Sequence, residues 1–414
     1  MTHLCLGQSH MHQATLLCLI IGIFPAPASA AQGVNADTIT LGMTSAFTGR
    51  SAGLGSELFR GAQAAFQTAN QAGGIHGRKI RLIAYDDGYE PAQAVSNTLT
   101  LVERDQVFAL FGNVGTPTTV KVLPLLLKYR SLPMLMFAPF TGAQMVREEP
   151  YLNTVVNVRA SYRDETAALV NLFVDLGKRQ VAVFYQNDSY GRSGYDGVIR
   201  ALKPHGLRVV AEANYPRGAA YATSMAPQVR ALGEASFDAV VAVGAYQACA
   251  AMVRDLRRNG FAGPIGNVSF VGSEALLELL TDAEVKDARI YSHDLYNSEV
   301  VPSPEMTELP LVAAYRRDLA AVAPEIPKQL LDPSYVRKPF SFVSLEGYVN
   351  ATVLMHVLKN AGKELNEKSF AGALAHSSNA DFGLGATFQL GDPTGHHQVW
   401  IVKADNQRWV PVIR

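Results

Sequence analysis

The chain has few cysteines and no excess of charge of either sign. Its 414 residues include three cysteines, and 36 lysines and arginines match 36 aspartates and glutamates. A protein that binds nucleic acid or an anionic membrane through its overall charge needs a basic excess or a basic stripe, so this balance argues against both partners. Beyond residue 30 the only cysteine is Cys249, which excludes an internal disulfide there.

Motifs that bind metals or nucleotides are also lacking. No Cys-x-x-Cys or His-x-x-x-His spacing occurs, and no Walker A or Gly-x-Gly-x-x-Gly motif follows a predicted strand, so neither a metal nor another cofactor is predicted. Residues 49–53 match the Gly-x-Ser-x-Gly pattern of hydrolases, with Ser51 as its serine. These residues fall in the loop after the first predicted strand, which is early in the chain for the nucleophile of a hydrolase. A serine hydrolase therefore remains only as an alternative.

The first thirty residues contain no aspartate, glutamate, lysine or arginine. An apolar run from Ala14 to Phe24 precedes small residues at Ala28 and Ala30. This pattern predicts a cleavable signal peptide at residues 1–30 and a mature protein in the periplasm. Histidines stand where such a peptide normally carries lysine or arginine, so a buried helix or an anchor remains an alternative.

From Ile39 onward, short apolar runs alternate with helical patterns. Ile39–Ala46 and Ile80–Tyr85 are predicted strands, and Ser56–Asn70 between them is a predicted helix. The same alternation restarts after Asn157. A β-α-β-α order implies a mostly parallel sheet with helices on both faces, so we expect an α/β protein with two doubly wound, Rossmann-like lobes.

Several segments of the mature chain resemble one family of soluble receptors. They follow one another in the family's order and cover nearly the whole mature chain. The resemblance is to the type I periplasmic binding proteins of the leucine/isoleucine/valine-binding family, which serve ABC importers. The matching segments are Ala46-Phe47-Thr48-Gly49, Gly61–Ala65, Asn70–Arg78, Asp86–Ala94, Gly112–Thr118, Gln186–Gly191 and Gly244-Ala245-Tyr246.

The resemblance implies two lobes joined by hinge strands, with crossings near Asn157, near Asp294 and in the tail. We therefore predict a first lobe of residues 38–157 plus 295–395 and a second lobe of 158–294 plus 396–414. It also implies that a small solute binds in the cleft, that the closed protein contacts an ABC transporter permease in the inner membrane, and that neither lobe is an enzyme.

The carboxyl edge of each predicted sheet offers places for an anionic ligand. Helix N-termini there present free N–H groups and the positive end of the helix dipole. The resemblance implies that Gly115, Thr116, Thr141 and Tyr246 bind the ligand's carboxylate and ammonium groups. For Thr116 and Thr141 the alternative is simple N-capping, which stabilises a helix by about 1 kcal/mol without any ligand, and Tyr246 could pack between helices.

Three further residues lie where relatives carry ligand-binding groups. Tyr190 corresponds to an aromatic residue of the cleft, or it is a surface turn residue. Leu54 stands where relatives often carry an aromatic ring that covers the ligand. Glu274 corresponds to the acid that pairs with an ammonium group, or it is a solvated residue of a first helical turn.

We predict a periplasmic substrate-binding protein of an ABC transporter that binds a carboxylate-bearing solute, such as a branched-chain amino acid, between its lobes. A sensor for an amide or an aromatic acid is the alternative within the same fold, because Leu54 departs from the family pattern.

Overall fold

The computed structural model of the protein describes residues 1–2, 31–129, 134–390 and 395–412. The predicted signal peptide at 1–30 therefore lies, apart from its first two residues, outside the described residues. Within the described ranges, no helix is both long enough and apolar enough to cross a membrane.

A five-stranded parallel sheet forms the core of the first lobe. Its strands are β1 (Thr38–Ser45), β2 (Lys79–Asp86), β3 (Ala109–Phe111), β4 (Met136–Phe137) and β5 (Val155–Val156). They lie in the order β2-β1-β3-β4-β5 and are parallel throughout. Helices follow the strands in the alternation that the sequence predicts: α1 (Ala52–Gln71) after β1, α2 (Pro91–Leu99) after β2 and α3 (Thr116–Lys128) after β3.

A seven-stranded sheet forms the core of the second lobe. Its parallel part has the order β10-β9-β8-β6-β7, and an antiparallel pair, β14-β13, extends it beyond β10. The strands after β5 are β6 (Val181–Gln186), β7 (Ala211–Tyr215), β8 (Ala239–Val243), β9 (Ile265–Asn267), β10 (Leu295–Glu299), the small separate hairpin of β11 (Ser378–Asp381) and β12 (Thr387–Gln389), β13 (Trp400–Asp405) and β14 (Arg408–Pro411).

Five helices accompany the second sheet, and three later helices return to the first lobe. The second-lobe helices are α4 (Tyr162–Asp175), α5 (Ser189–Leu202), α6 (Ala226–Leu232), α7 (Tyr246–Arg258) and α8 (Ser273–Asp287). The three later helices are α9 (Pro310–Val322), α10 (Phe342–Ala361) and α11 (Glu367–His376), of which α9 and α10 pack on α1 and α11 packs on α10.

Helices α1 and α10 cross unusually closely. A Cβ atom at Gly61 would lie 1.7 Å from the carbonyl oxygen of Ser344, and one at Gly347 would lie 2.1 Å from that of Leu58. Only glycine at both positions lets the two backbones approach this far. This contact fixes the start of α10, and the loop before it, beside the first lobe's sheet.

The architecture confirms the predicted α/β class with two doubly wound lobes. The chain passes from one lobe to the other after β5, after β10 and after β12. The predicted lobe division at residue 295 needs a correction in one respect. Strand β10 pairs with β9 and β13, so residues 295–299 belong to the second sheet rather than to the first lobe. The remaining lobe boundaries stay a prediction.

Candidate functional site

Three hydroxyl groups meet where the two lobes face each other. The Oγ1 atoms of Thr116 and Thr141 are 2.7 Å apart, and Thr116 Oγ1 is 3.3 Å from the phenol oxygen of Tyr162. All three side chains are fully buried. Thr116 begins α3 in the first lobe and Tyr162 begins α4 in the second, so this hydroxyl cluster joins the lobes.

The N-capping alternative is wrong for Thr116. The N-cap of α3 is Gly115, which makes no side-chain bond, and the Thr116 hydroxyl bonds across to Thr141. Gly115 has φ +102°, and a Cβ there would lie 2.1 Å from the ring of Tyr89. The position therefore requires glycine both for its backbone angle and for the close approach of that ring.

Tyr190 lies inside an aromatic cluster next to these hydroxyls. Its ring centroid is 5.2 Å from that of Tyr162 and 4.7 Å from that of Phe270. Tyr190 is fully buried, so it is not the surface turn residue that the sequence left as an alternative, and burial raises its pKa well above the usual value. The ring of Phe140 of the first lobe also packs against that of Phe270, with centroids 5.3 Å apart, which extends the cluster across both lobes.

A cavity of about 340 Å³ lies on another part of the interlobe surface. Tyr246 and Leu54 both line it. The phenol oxygen of Tyr246, at the start of α7, accepts a hydrogen bond from the backbone amide of Gly53 in α1 over 3.4 Å. Leu54 approaches Gly272 so closely that a Cβ on that glycine would be 2.7 Å from Leu54 Cδ2. The cavity is therefore walled by both lobes.

Glu274 lines the same cavity from the first turn of α8. Its Oε1 atom accepts a hydrogen bond from the backbone amide of Phe342, 2.9 Å away, where α10 of the first lobe begins. Burial raises the pKa of Glu274 to about 7, against the opposing effect of this hydrogen bond. Its carboxyl group is thus a bridge between the lobes rather than a freely solvated first-turn residue.

The seven predicted site residues fall into two places rather than one. Thr116, Thr141, Gly115 and Tyr190 belong to the hydroxyl and aromatic clusters. The other three, Leu54, Tyr246 and Glu274, line the cavity of about 340 Å³.

The segment before α10 adds residues to the cavity that sequence reasoning missed. Glu57 of α1 accepts hydrogen bonds from the backbone amide of Lys338, 3.2 Å away, from the Ser341 hydroxyl, 2.9 Å away, and from the phenol of Tyr335. Lys338 also forms an ion pair with Glu278 of α8 across the lobes. No motif marks this segment, although a glutamate among the apolar positions of α1 is a signal that a polar partner must cover it.

Comparisons with known proteins agree with this geometry. The sequence profile described as periplasmic binding protein matches residues 38–408. The chain belongs to the periplasmic binding protein family. It is a type I member of the leucine/isoleucine/valine-binding kind.

Curated relatives and solved structures give the extent of the similarity. The chain is 27% identical over 245 residues to the amino acid binding protein of Pseudomonas aeruginosa and 25% identical over 247 residues to the leucine-specific-binding protein of Salmonella typhimurium. Each alignment spans 58% of this chain. It covers less than two thirds of the relative, namely 63% of the Pseudomonas protein and 65% of the Salmonella protein. A possible leucine/isoleucine/valine-binding protein from Rhodopirellula baltica superimposes with a TM-score of 0.80 at 32% identity, over 92% of this chain and 98% of that one.

Proteins of this periplasmic binding protein family bind their substrates and are not enzymes. The Gly-x-Ser-x-Gly match has a structural role instead. Ser51 is buried in the short 3-10 turn Gly49–Ser51 that leads into α1. The hydrolase alternative is therefore withdrawn.

Proposed function

We propose that the protein is the substrate-binding component of an ABC importer and that it captures a small carboxylate-bearing solute, such as a branched-chain amino acid, between its lobes. The observation that carries the proposal is the cavity that both lobes wall. Hydrogen bonds cross it from Gly53 to Tyr246 and from Phe342 to Glu274.

The carboxylate of the solute would bind at the start of α3. A helix N-terminus offers unpaired amide groups and the positive end of the dipole. The hydroxyls of Thr116 and Thr141 lie at this terminus and, among the residues that the structure describes, bond only to neighbouring hydroxyls and to the amide of Ala143. A carboxylate can replace the bond between the two threonines by accepting from both, once the neighbouring aromatic rings move apart.

The ammonium group and side chain would occupy the cavity near Tyr246. The carboxylate of Glu274 offers a charge-assisted bond, which contributes roughly 1.5–3 kcal/mol. Leu54 would contact the solute's apolar part. Micromolar affinity corresponds to about −8 kcal/mol, which such a set of bonds together with cleft burial can supply.

Binding would shift an equilibrium between open and closed lobes. A solute favours the closed form only to the extent that it contacts both lobes at once. The proposed set meets this condition, because Thr116 and Leu54 lie in the first lobe and Tyr246 and Glu274 in the second. The closed form would then be the one that a permease in the inner membrane binds, and residues 1–30 would direct the chain to the periplasm.

A sensor for an amide or an aromatic acid is the alternative. Leu54, in place of an aromatic cover, leaves a cavity of about 340 Å³, which has room for a solute larger than leucine. An amide would not need the Glu274 carboxylate to be charged, whereas an amino acid would.

Thermal unfolding across a panel of solutes tests the proposal. Amino acids, aliphatic amides and small aromatic acids are added at millimolar concentration to the purified protein, and native mass spectrometry identifies any solute that copurifies. A rise in Tm with L-leucine, L-isoleucine or L-valine that is smaller in Thr116→Val supports the proposal, with Thr352→Val, at a half-buried position of α10, as the control. No shift with any amino acid contradicts the proposed ligand class.

A further inference from the structure

Four buried charged residues form a cluster where the chain crosses between the lobes. Arg159 lies between β5 and α4, Glu165 in α4, Glu299 at the end of β10 and Glu346 in α10. Their exposed fractions are 3%, 0%, 1% and 4%. We call these four residues the hinge cluster.

The hinge cluster has more carboxyl groups than positive charge. Arg159 Nη2 is 3.3 Å from Glu165 Oε1, and Arg159 Nη1 is 3.4 Å from Glu346 Oε1. Arg159 therefore contacts two of the three carboxyl groups, and a second buried arginine, Arg147, donates from its Nη2 atom to the carbonyl oxygen of Arg159 over 3.0 Å. Burying a charge without full compensation costs several kcal/mol per ion, so three ionised glutamates beside these two arginines are disfavoured.

Two of the three carboxyl groups are held entirely within the second lobe. Glu165 accepts hydrogen bonds from the Ser269 amide at 2.7 Å and from the Ser298 hydroxyl at 2.9 Å. Glu299 accepts one from the hydroxyl of Ser273, at the start of α8. Because these partners move with the second lobe, opening of the cleft leaves both environments largely intact.

Glu346 differs from both. It lies on α10 of the first lobe, whereas the guanidinium that it contacts bonds to Glu165 and Ser269 of the second lobe and also lies over the ring of Phe140 of the first, 4.7 Å from its centroid. Its Oε1 atom has no hydrogen-bond partner within the described part of the chain, and neither has Arg159 Nη1. Opening would separate this ion pair and admit water to Glu346.

We infer that the closed protein holds a proton on Glu346 which the open protein releases, so that lobe closure, and with it capture of the solute, strengthens as the pH falls from 8 to 6. This pH dependence would regulate the proposed binding site, and it rests on the proposed function only for its link to solute capture.

Proton linkage gives the direction in which pH shifts lobe closure. Burial raises the pKa of Glu346 to about 7 in the closed form; Arg159 opposes this shift and Glu165 adds to it. The other charged groups nearby are Arg147, which interacts with Arg159 and Glu165, then Glu299 and, beyond it, Glu274 with Glu57 and Lys338. In water a glutamate titrates near its ordinary pKa of about 4.3, so between that pH and 7 the closed form binds more protons. The closing constant should be about ten-fold larger at pH 6 than at pH 8.

Calorimetric titration with L-leucine at pH 6, in phosphate and in imidazole buffer, counts the protons taken up on binding. The wild-type chain is compared with Glu346→Gln and with Glu367→Gln, which removes an exposed charge from α11 of the same lobe. Glu346→Gln should take up about one proton fewer than the wild type, and Glu367→Gln should match the wild type. Glu346→Met serves if the glutamine variant does not fold.

Equal proton uptake in the wild type and Glu346→Gln would overturn the inference. If L-leucine gives no heat of binding, the proposed ligand is wrong. The inference about Glu346 is then tested separately, by small-angle scattering of the ligand-free protein. The inference expects the radius of gyration of the wild type to be smaller at pH 6 than at pH 8. It expects Glu346→Gln to show at pH 8 the radius that the wild type has at pH 6. A radius independent of pH in the wild type overturns the inference as well.

Discussion

The backbone amide of Gly53 donates a hydrogen bond to the phenol oxygen of Tyr246 over 3.4 Å, and this bond joins the first turn of α1 to the first turn of α7. The two residues belong to different lobes and line one cavity. Any movement that opens the cleft must break the bond. Tyr246 therefore reports on closure even before its contact with a solute is considered.

Replacing Tyr246 with phenylalanine should weaken solute binding with little effect on folding. The loss of one net hydrogen bond corresponds to about 1 kcal/mol, or roughly five-fold in Kd. The measurement is calorimetric titration with the amino acid that raises Tm most. Tyr185→Phe is the control, since its phenol lies beside Glu212 at the outer edge of the second sheet. Equal losses of affinity in both variants would contradict the role given to Tyr246.

Gly115 and Gly73 form a matched pair, because both have φ +102°. A Cβ at Gly115 would lie 2.1 Å from the Tyr89 ring, whereas nothing lies within 4 Å of one at Gly73. Gly73→Ala should therefore cost only the backbone strain, about 1–2 kcal/mol. Gly115→Ala should cost more, by about 1–3 kcal/mol of overpacking. Urea unfolding of the two variants measures the difference, and equal free energies of unfolding would mean that the Tyr89 ring moves away without penalty.

An ion pair at the mouth of the cleft should make closure depend on salt. Arg217, after β7, is 2.7 Å from Glu90, which precedes α2 in the first lobe. Both side chains are partly exposed, so the pair contributes at most about 1 kcal/mol. Glu90→Gln should raise Kd up to about five-fold at 20 mM salt and have no effect at 1 M, where screening is nearly complete. Glu103→Gln removes an exposed partner of Lys128 within the first lobe and should leave Kd unchanged at both concentrations.

The sequence predicts the strand and helix order well because hydrophobic alternation depends on local residues. Element ends are less predictable. The sequence predicts that helix α1 begins at Ser56, because Gly53 and Gly55 before it have low helix propensity. The helix in fact begins at Ala52. The structure shows why Gly55 is there, since a Cβ would lie 2.2 Å from the carbonyl oxygen of Ala46. Such a contact between a helix and the preceding strand end cannot be seen in composition.

The site was predictable only in part, because some of its contacts also join residues that are far apart in the sequence. Thr116 and Thr141 follow neighbouring strands of one sheet, so parallel topology alone brings them together. The partner of Glu274 is the amide of Phe342, 68 residues away in the other lobe. No local pattern indicates a contact that depends on how the two lobes meet.

Glu299 should make the stability of the whole protein fall as the pH rises. Burial raises its pKa well above the usual value, and the nearby carboxyl groups of Glu274, Glu165 and Glu346 add to the shift. A carboxyl group with a raised pKa in the folded state contributes stability that is fully present below the unfolded-state pKa and is lost as the pH rises towards the folded-state pKa. The slope is about 1.4 kcal/mol per pH unit above the unfolded-state value.

Glu299→Gln keeps an oxygen that can accept from Ser273 and removes the titrating group. The free energy of unfolding, measured in urea from pH 5 to pH 8, should therefore decline less steeply in this variant than in the wild type. Glu212→Gln, at an exposed position of β7, should follow the wild-type curve. If the free energy of unfolding of Glu299→Gln declines as steeply as that of the wild type, the protonation of Glu299 does not differ between the folded and unfolded states in this range.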